Sequence, residues 1–105
     1  MIAADIQELA RRVAEAFNPE RIILFGSQAT GSTDEGSDVD LLVVMRYHGR
    51  PVEQAAAIRR FLNYARPLDI LVRSPEELAH RVAQGDWFLR RAVEQGTVLY
   101  ARADA

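Results

Sequence analysis

The sequence predicts a single α/β (α+β) domain over residues 1–105, a mixed β-sheet flanked by helices. Three observations carry that reading. Helix-periodic stretches alternate with short, β-branched apolar runs along the whole chain. Residues 27–37 are all that separates the first two apolar runs, too little for a parallel crossover, so those strands should be antiparallel. A helix of ordinary crossover length lies between the second and third runs, which makes them parallel neighbours.

Each element has its own signal. Ile6, Leu9, Ala10, Val13 and Phe17 recur at helical spacing with Arg11, Arg12 and Glu15 opposite, and Asn18-Pro19 ends that helix. "RIILFG" (21–26) reads as a strand buried on both faces. "SQATGSTDEGS" (27–37) is rich in Gly, Ser and Thr and reads as a loop with at most one helical turn. "DVDLLVVM" (38–45) is a second buried strand, and Gly49-Arg50-Pro51 breaks the chain after it. Ala55, Ile58, Phe61, Leu62 and Ala65 then mark the apolar stripe of a second helix, followed by the strand "RPLDILVR" (66–73). Ser74-Pro75-Glu76-Glu77 supplies an N-cap, a first-turn proline and a capping-box glutamate for a helix that stops at Gly85. Asp86 caps "WFLRRAVEQ", Gly96 ends it, and "TVLYA" (97–101) closes the sheet.

Composition removes several function classes. With 49% hydrophobic residues, a chain this short fills one core and not two. The formal net charge of −2 sets up no basic field for nucleic acid, so no stable nucleic-acid binding is expected. Without cysteine there is no disulfide, thiolate metal site or cysteine nucleophile. Every basic residue is arginine, so a phosphate-gripping P-loop lysine is absent. Charge enters every turn of the first helix, and no apolar run approaches the roughly 20 residues of a membrane span. A cytoplasmic protein without membrane attachment is the expectation.

The chemistry gathers at two strand mouths. Side chains alternate along a strand, so Asp38 and Asp40 share a face. Two adjacent carboxylates repel unless a cation lies between them, and hard oxygen donors suit Mg2+. Asp69 opens the third strand, and parallel neighbours bring their starts to one end of the sheet, so three carboxylates should converge there. Antiparallel pairing brings the end of the first strand, Gly26 and Ser27, to the same end. Gly26 permits close backbone approach, and Ser27 offers a hydroxyl and an amide, a ready anion site. Carboxylates facing such a turn would suit a nucleoside triphosphate. "DEGSDVD" (34–40) is no calcium loop, since it lacks the sixth-position glycine and the closing glutamate. His48, His80, Arg59-Arg60 and Arg90-Arg91 read as solvated. Trp87 and Phe88 adjoin on a helix and diverge by roughly 100°; either one anchors a partner or they pack against a neighbouring helix.

Gly26-Ser27 followed ten residues later by "DVD" (38–40) resembles the signature of the DNA polymerase β-like nucleotidyltransferase superfamily. The frame "ILFGS…SDVDLLVV", Asp69 in "PLDILV" and the ending "GTVLYAR" are similar to its minimal nucleotidyltransferase (MntA-like antitoxin) branch. That resemblance implies the nucleotidyltransferase fold and a two-metal transfer of AMP from ATP. Asp38 and Asp40 would hold two Mg2+ ions, with Mn2+ able to substitute. Asp69 would hold the catalytic ion and help deprotonate the attacking hydroxyl, while Gly26 and Ser27 would bind the β- and γ-phosphates. The acceptor it implies is a tyrosine of a helical HEPN-type toxin, and the assembly a homodimer or a hetero-oligomer with that toxin. Two alternatives stand beside it: an inactive nucleotidyltransferase-like antitoxin acting by occlusion, and a transferase acting on a small molecule of aminoglycoside type. Relatives often carry an arginine in the turn after Gly-Ser. Here Gln28, Ala29, Thr30 and Gly31 occupy it, which implies either weaker triphosphate binding or a substitute cation from Arg46, Arg66 or Arg73.

Overall fold

A computed structural model of the chain describes residues 3–26 and 38–103. Its elements run α1 (Ala4–Phe17), β1 (Arg21–Phe25), β2 (Val39–Val44), α2 (Pro51–Leu62), β3 (Leu68–Arg73), α3 (Pro75–Ala83), α4 (Trp87–Gln95) and β4 (Thr97–Ala101). The four strands form one sheet in the order β3-β2-β1-β4. As the connection lengths predict, β1 pairs antiparallel with β2 and β2 pairs parallel with β3. β4 returns antiparallel along β1, with a register shift between Ile22 and Ile23.

Strand alternation divides the core in two. Ile22, Leu24, Val39, Leu41, Val43, Ile70 and Val72 face Ile6, Leu9 and Val13 of α1 and Ala55, Ile58 and Leu62 of α2. Ile23, Leu42 and Val44 face Leu78 of α3 and Leu89 and Ala92 of α4. β1 and β2 are therefore apolar at successive positions because both of their faces are covered.

Local chemistry sets the element ends. Asn18 and Asn63 both end their helices in the left-handed region, at φ 49° and 47°. Asparagine tolerates that conformation better than most residues, and its backbone N–H closes the last turn. Asn63 thus leaves Ala65 outside α2, and Phe61 lies at the surface rather than in the predicted stripe. Phe61 clasps α1 instead: its ring meets Phe17 edge-on at 5.4 Å, and Arg12 lies over it while donating to the Leu62 carbonyl at 3.1 Å. The two predicted caps are in place. Ser74 accepts from the Glu77 N–H at 3.1 Å while Glu77 accepts from the Ser74 N–H at 2.9 Å, and Asp86 accepts from the Leu89 N–H at 3.0 Å. Among the described residues no helix is long and apolar enough to cross a membrane.

Gly96 joins α4 to β4 where backbone and core meet. A methyl group there would lie 2.6 Å from Ile23 Cγ2 and 2.8 Å from the Leu24 carbonyl oxygen. Both neighbours are fully buried residues of β1 and have no room to retreat. Gly96→Ala should therefore cost about 2 kcal/mol of unfolding free energy, measured by urea denaturation.

Candidate active site

β1 ends at Phe25, and Gly26 turns the chain away at φ 78°, a conformation L-residues rarely hold. Its second requirement is space. A Cβ on Gly26 would overlap Oδ2 of Asp40 and stand 3.4 Å from its Cγ. The turn backbone and this carboxylate therefore approach one another as closely as a side-chain-free residue allows.

Register makes the juxtaposition. Asp40 is the cross-strand partner of Phe25 on one side and of Asp69 on the other. The Val39 N–H donates to the Pro67 carbonyl at 3.0 Å, which pins the mouth of β2 to the approach of β3. Asp40 and Asp69 alternate with Val39, Leu41, Leu68 and Ile70, all in the α1–α2 core, so both point to the α3–α4 face. Asp38, one residue before β2, is exposed, as is Asp69; Asp40 is half-buried.

The electrostatics agree with convergence. Burial, then the charges of Asp69 and Asp38, then a hydrogen-bonding approach to Asp69 push the Asp40 carboxyl up to about 6. The trio is nonetheless open: among the described residues no three acidic, histidine or cysteine side chains already meet metal-ligand geometry. Burial comes first among the causes of the raised carboxyl, and the like charges of Asp69 and Asp38 add to it. The donor set, carboxylate oxygens only, suits a hard divalent cation.

Four predicted site residues, Gly26, Asp38, Asp40 and Asp69, gather at one end of the sheet. Ser27 lies outside the described residues, as do Gln28, Ala29, Thr30 and Gly31 of its turn. The three candidate arginines separate. Arg73 stands opposite Val44, about 13 Å of strand from the Asp40–Asp69 pair, and donates to the Val72 carbonyl at 2.7 Å. Arg46 follows the far end of β2 and pairs with Glu76 at 2.7 Å. Arg66 alone lies at the site's end, where it donates to Asp5 at 3.3 Å and to the Tyr64 hydroxyl at 3.4 Å. Tyr64 in turn donates to Asp5, so α1, the loop after α2 and the approach to β3 are knotted together beside the site. Sequence reading missed this cluster, because no local pattern announces contacts 59 and 61 residues apart.

It also left Trp87 and Phe88 between two roles, and the core role is excluded for both. They are 69% and 51% exposed. Phe88 meets Phe25 edge-to-face, with centroids 5.6 Å apart and rings at 88°, and Arg91 lies 5.3 Å over the Trp87 ring.

A Gly-turned strand end facing in-register carboxylates on an antiparallel–parallel strand trio defines a nucleotidyltransferase-type palm. Residues 6–100 match the model of the nucleotidyltransferase domain family, and the chain belongs to that family. A provisionally named protein adenylyltransferase of Methanocaldococcus jannaschii is 40% identical over 53 residues. That match covers 50% of this chain and 54% of the relative, so the chain spans about half the length of that relative. A crystal structure provisionally described as a nucleotidyltransferase, from Sulfolobus solfataricus, superposes with a TM-score of 0.63 at 22% identity, over 92% of this chain and 78% of the other. A chain in the crystal structure of a mutant MntA-HpeT toxin-antitoxin superposes at 0.53 and 21% identity, over 95% and 72%. These two speak for the fold.

The raised Asp40 carboxyl makes a stability prediction. Its ordinary value is 3.8, so between about 4 and about 6 the folded chain holds more protons than the unfolded one, and stability falls as pH rises through that window. Asp40→Asn removes the penalty. In metal-free buffer at pH 7 the variant should be more stable by about 1 kcal/mol, after discounting for the group's solvent contact, and the gap should close below pH 4. Thermal melts across pH 3.5–7.5 on the order of half-unit steps check it.

Proposed function

We propose that this chain is a divalent-metal-dependent nucleotidyltransferase that moves AMP from ATP to the hydroxyl of a tyrosine on a protein partner. The observation carrying the chemistry is the register that sets Asp40 between the Gly26 turn and Asp69. Membership of the nucleotidyltransferase domain family supports the reaction class. The relative's provisional name supports a protein as acceptor. A toxin as that protein, of HEPN type, rests on the sequence resemblance and on the toxin-antitoxin assembly in which a chain of this fold occurs.

Asp38, Asp40 and Asp69 would hold two Mg2+ ions, which supply charge neutralisation at the transferring phosphoryl group and acidify the attacking hydroxyl. The residues do the rest by placement. Gly26 lets phosphate oxygens reach backbone at the strand end, with Ser27 as the next donor in sequence. Asp69, on the flank away from Gly26, faces the side from which an in-line acceptor must come, and takes up its proton. The acceptor oxygen bonds to the α-phosphorus, the bond to the bridging oxygen breaks, and diphosphate leaves toward the turn. Among the described residues no element encloses an acceptor, so docking of the partner would present it.

The position of the arginines favours a second reading. Arg46 and Arg73 lie at the far end of the sheet and Arg66 is engaged by Asp5 and Tyr64, so a chain with weak triphosphate affinity could neutralise its partner by occlusion alone. One experiment separates the two. Purified chain, labelled ATP and a helical HEPN-type toxin taken as its candidate partner are mixed with Mg2+ or Mn2+. Label should reach the partner's tyrosine, and Asp38→Ala with Asp40→Ala should lower the rate by about a hundredfold or more and abolish neutralisation. Neutralisation intact in the double variant would establish occlusion.

A further inference from the structure

We propose that the Phe25–Phe88 pair is the nucleobase platform of this site: the base of the nucleotide stacks on the Phe88 ring, which Phe25 holds at the catalytic rim. The inference rests on the nucleotide-transfer reading and adds to it the element that recognises the base. Four observations converge. Phe25 is the direct cross-strand partner of Asp40, so its ring stands on the α3–α4 face beside the carboxylate. Phe88, in the first turn of α4, reaches across to that ring and is held by it at 5.6 Å. Half of Phe88 is nevertheless in water, so ring surface stands exposed beside the carboxylates. An edge-to-face pair also leaves ring surface open to a third planar group, and stacking is the chemistry such a surface offers.

Geometry narrows the occupant to the nucleotide's own base. A nucleotide whose α-phosphorus lies at Asp40 has its base within one ribose of that position, and Phe25 and Phe88 are the aromatic side chains placed at that rim. Phenyl rings carry no hydrogen-bonding groups, so the platform reads planarity and size and favours purines over pyrimidines. Trp87 precedes Phe88 and is the chain's only tryptophan, so its fluorescence offers an optical reporter next to the platform.

The test titrates the full chain, in Mg2+, with ATP, CTP and inorganic tripolyphosphate, following Trp87 emission and binding heat. ATP should bind more tightly than tripolyphosphate and CTP and should shift the emission. Phe88→Ala should weaken ATP by about tenfold while leaving tripolyphosphate unchanged, and Phe88→Tyr should restore ATP binding. Equal ATP affinity in wild type and Phe88→Ala overturns the platform, as does tripolyphosphate binding as tightly as ATP. If Phe88→Ala binds ATP normally but no longer labels the partner, the ring belongs to partner docking and the platform is wrong. Wild type that binds neither ATP nor tripolyphosphate overturns the underlying nucleotide reading together with it.

Discussion

Asp40 is the constraint on which the rest turns. It is the one charged residue in a strand whose other five positions are fully buried, and it stands in register with a second carboxylate. Each of those apolar side chains contributes roughly 1.5–3 kcal/mol. The strain at Asp40 amounts to about 1 kcal/mol once solvent contact is allowed for. Burial of β2 therefore wins by a wide margin, and the strand holds an acid where an isolated sheet would expel it. The sheet supplies rigidity from the centre outward, and the Asp40 carboxylate occupies the mouth of its most deeply buried strand.

The site's asymmetry follows from strand direction. An antiparallel neighbour brings the end of β1 to Asp40, and an end can carry a glycine turn with exposed backbone amides. A parallel neighbour brings the beginning of β3, and a beginning can carry another acid in the same register. Under the nucleotide-transfer reading, one strand pairing would offer an anion-binding flank and the other a cation-binding flank, with Asp40 between them. A sheet with both neighbours parallel would have set three strand beginnings side by side and left no turn for phosphate. The chain's short 27–37 connection is what forces the antiparallel choice.

Much of this was legible beforehand because it depends on local rules. The connection lengths give the strand directions, alternation gives the common face of Asp40 and the in-register Asp69, and Ser74-Glu77 and Asp86 give two helix starts that the hydrogen bonds reproduce. What sequence could not supply was anything set by the crossing of elements. Phe61 has helical spacing with Ile58 and Leu62, yet it sits at the seam of α1 and α2 and serves Arg12 and Phe17 at the surface. Asp5, Tyr64 and Arg66 meet only because α1 begins and β3 begins at the same end of the sheet. The choice among three arginines was equally closed to sequence, since it depends on which end of a strand each one occupies.

The Asp5–Tyr64–Arg66 cluster bears on how such a site manages without an arginine in its turn. Arg66 lies at the correct end, but residues 64 and 68 pack on the α1–α2 face, opposite the face that carries Asp40 and Asp69. The carboxyl of Asp5 is held below its ordinary range chiefly by the Tyr64 hydroxyl, with Arg66 adding to it, so the cluster is a satisfied structural knot rather than a reserve of charge. Recruiting Arg66 to a phosphate would break that knot and carry the guanidinium around the sheet's edge. Under the proposed function the cheaper arrangement would be for divalent cations, backbone amides and the docked partner to neutralise the triphosphate. Activity in a palm built this way should depend on its partner and its metal more steeply than on any single arginine of its own.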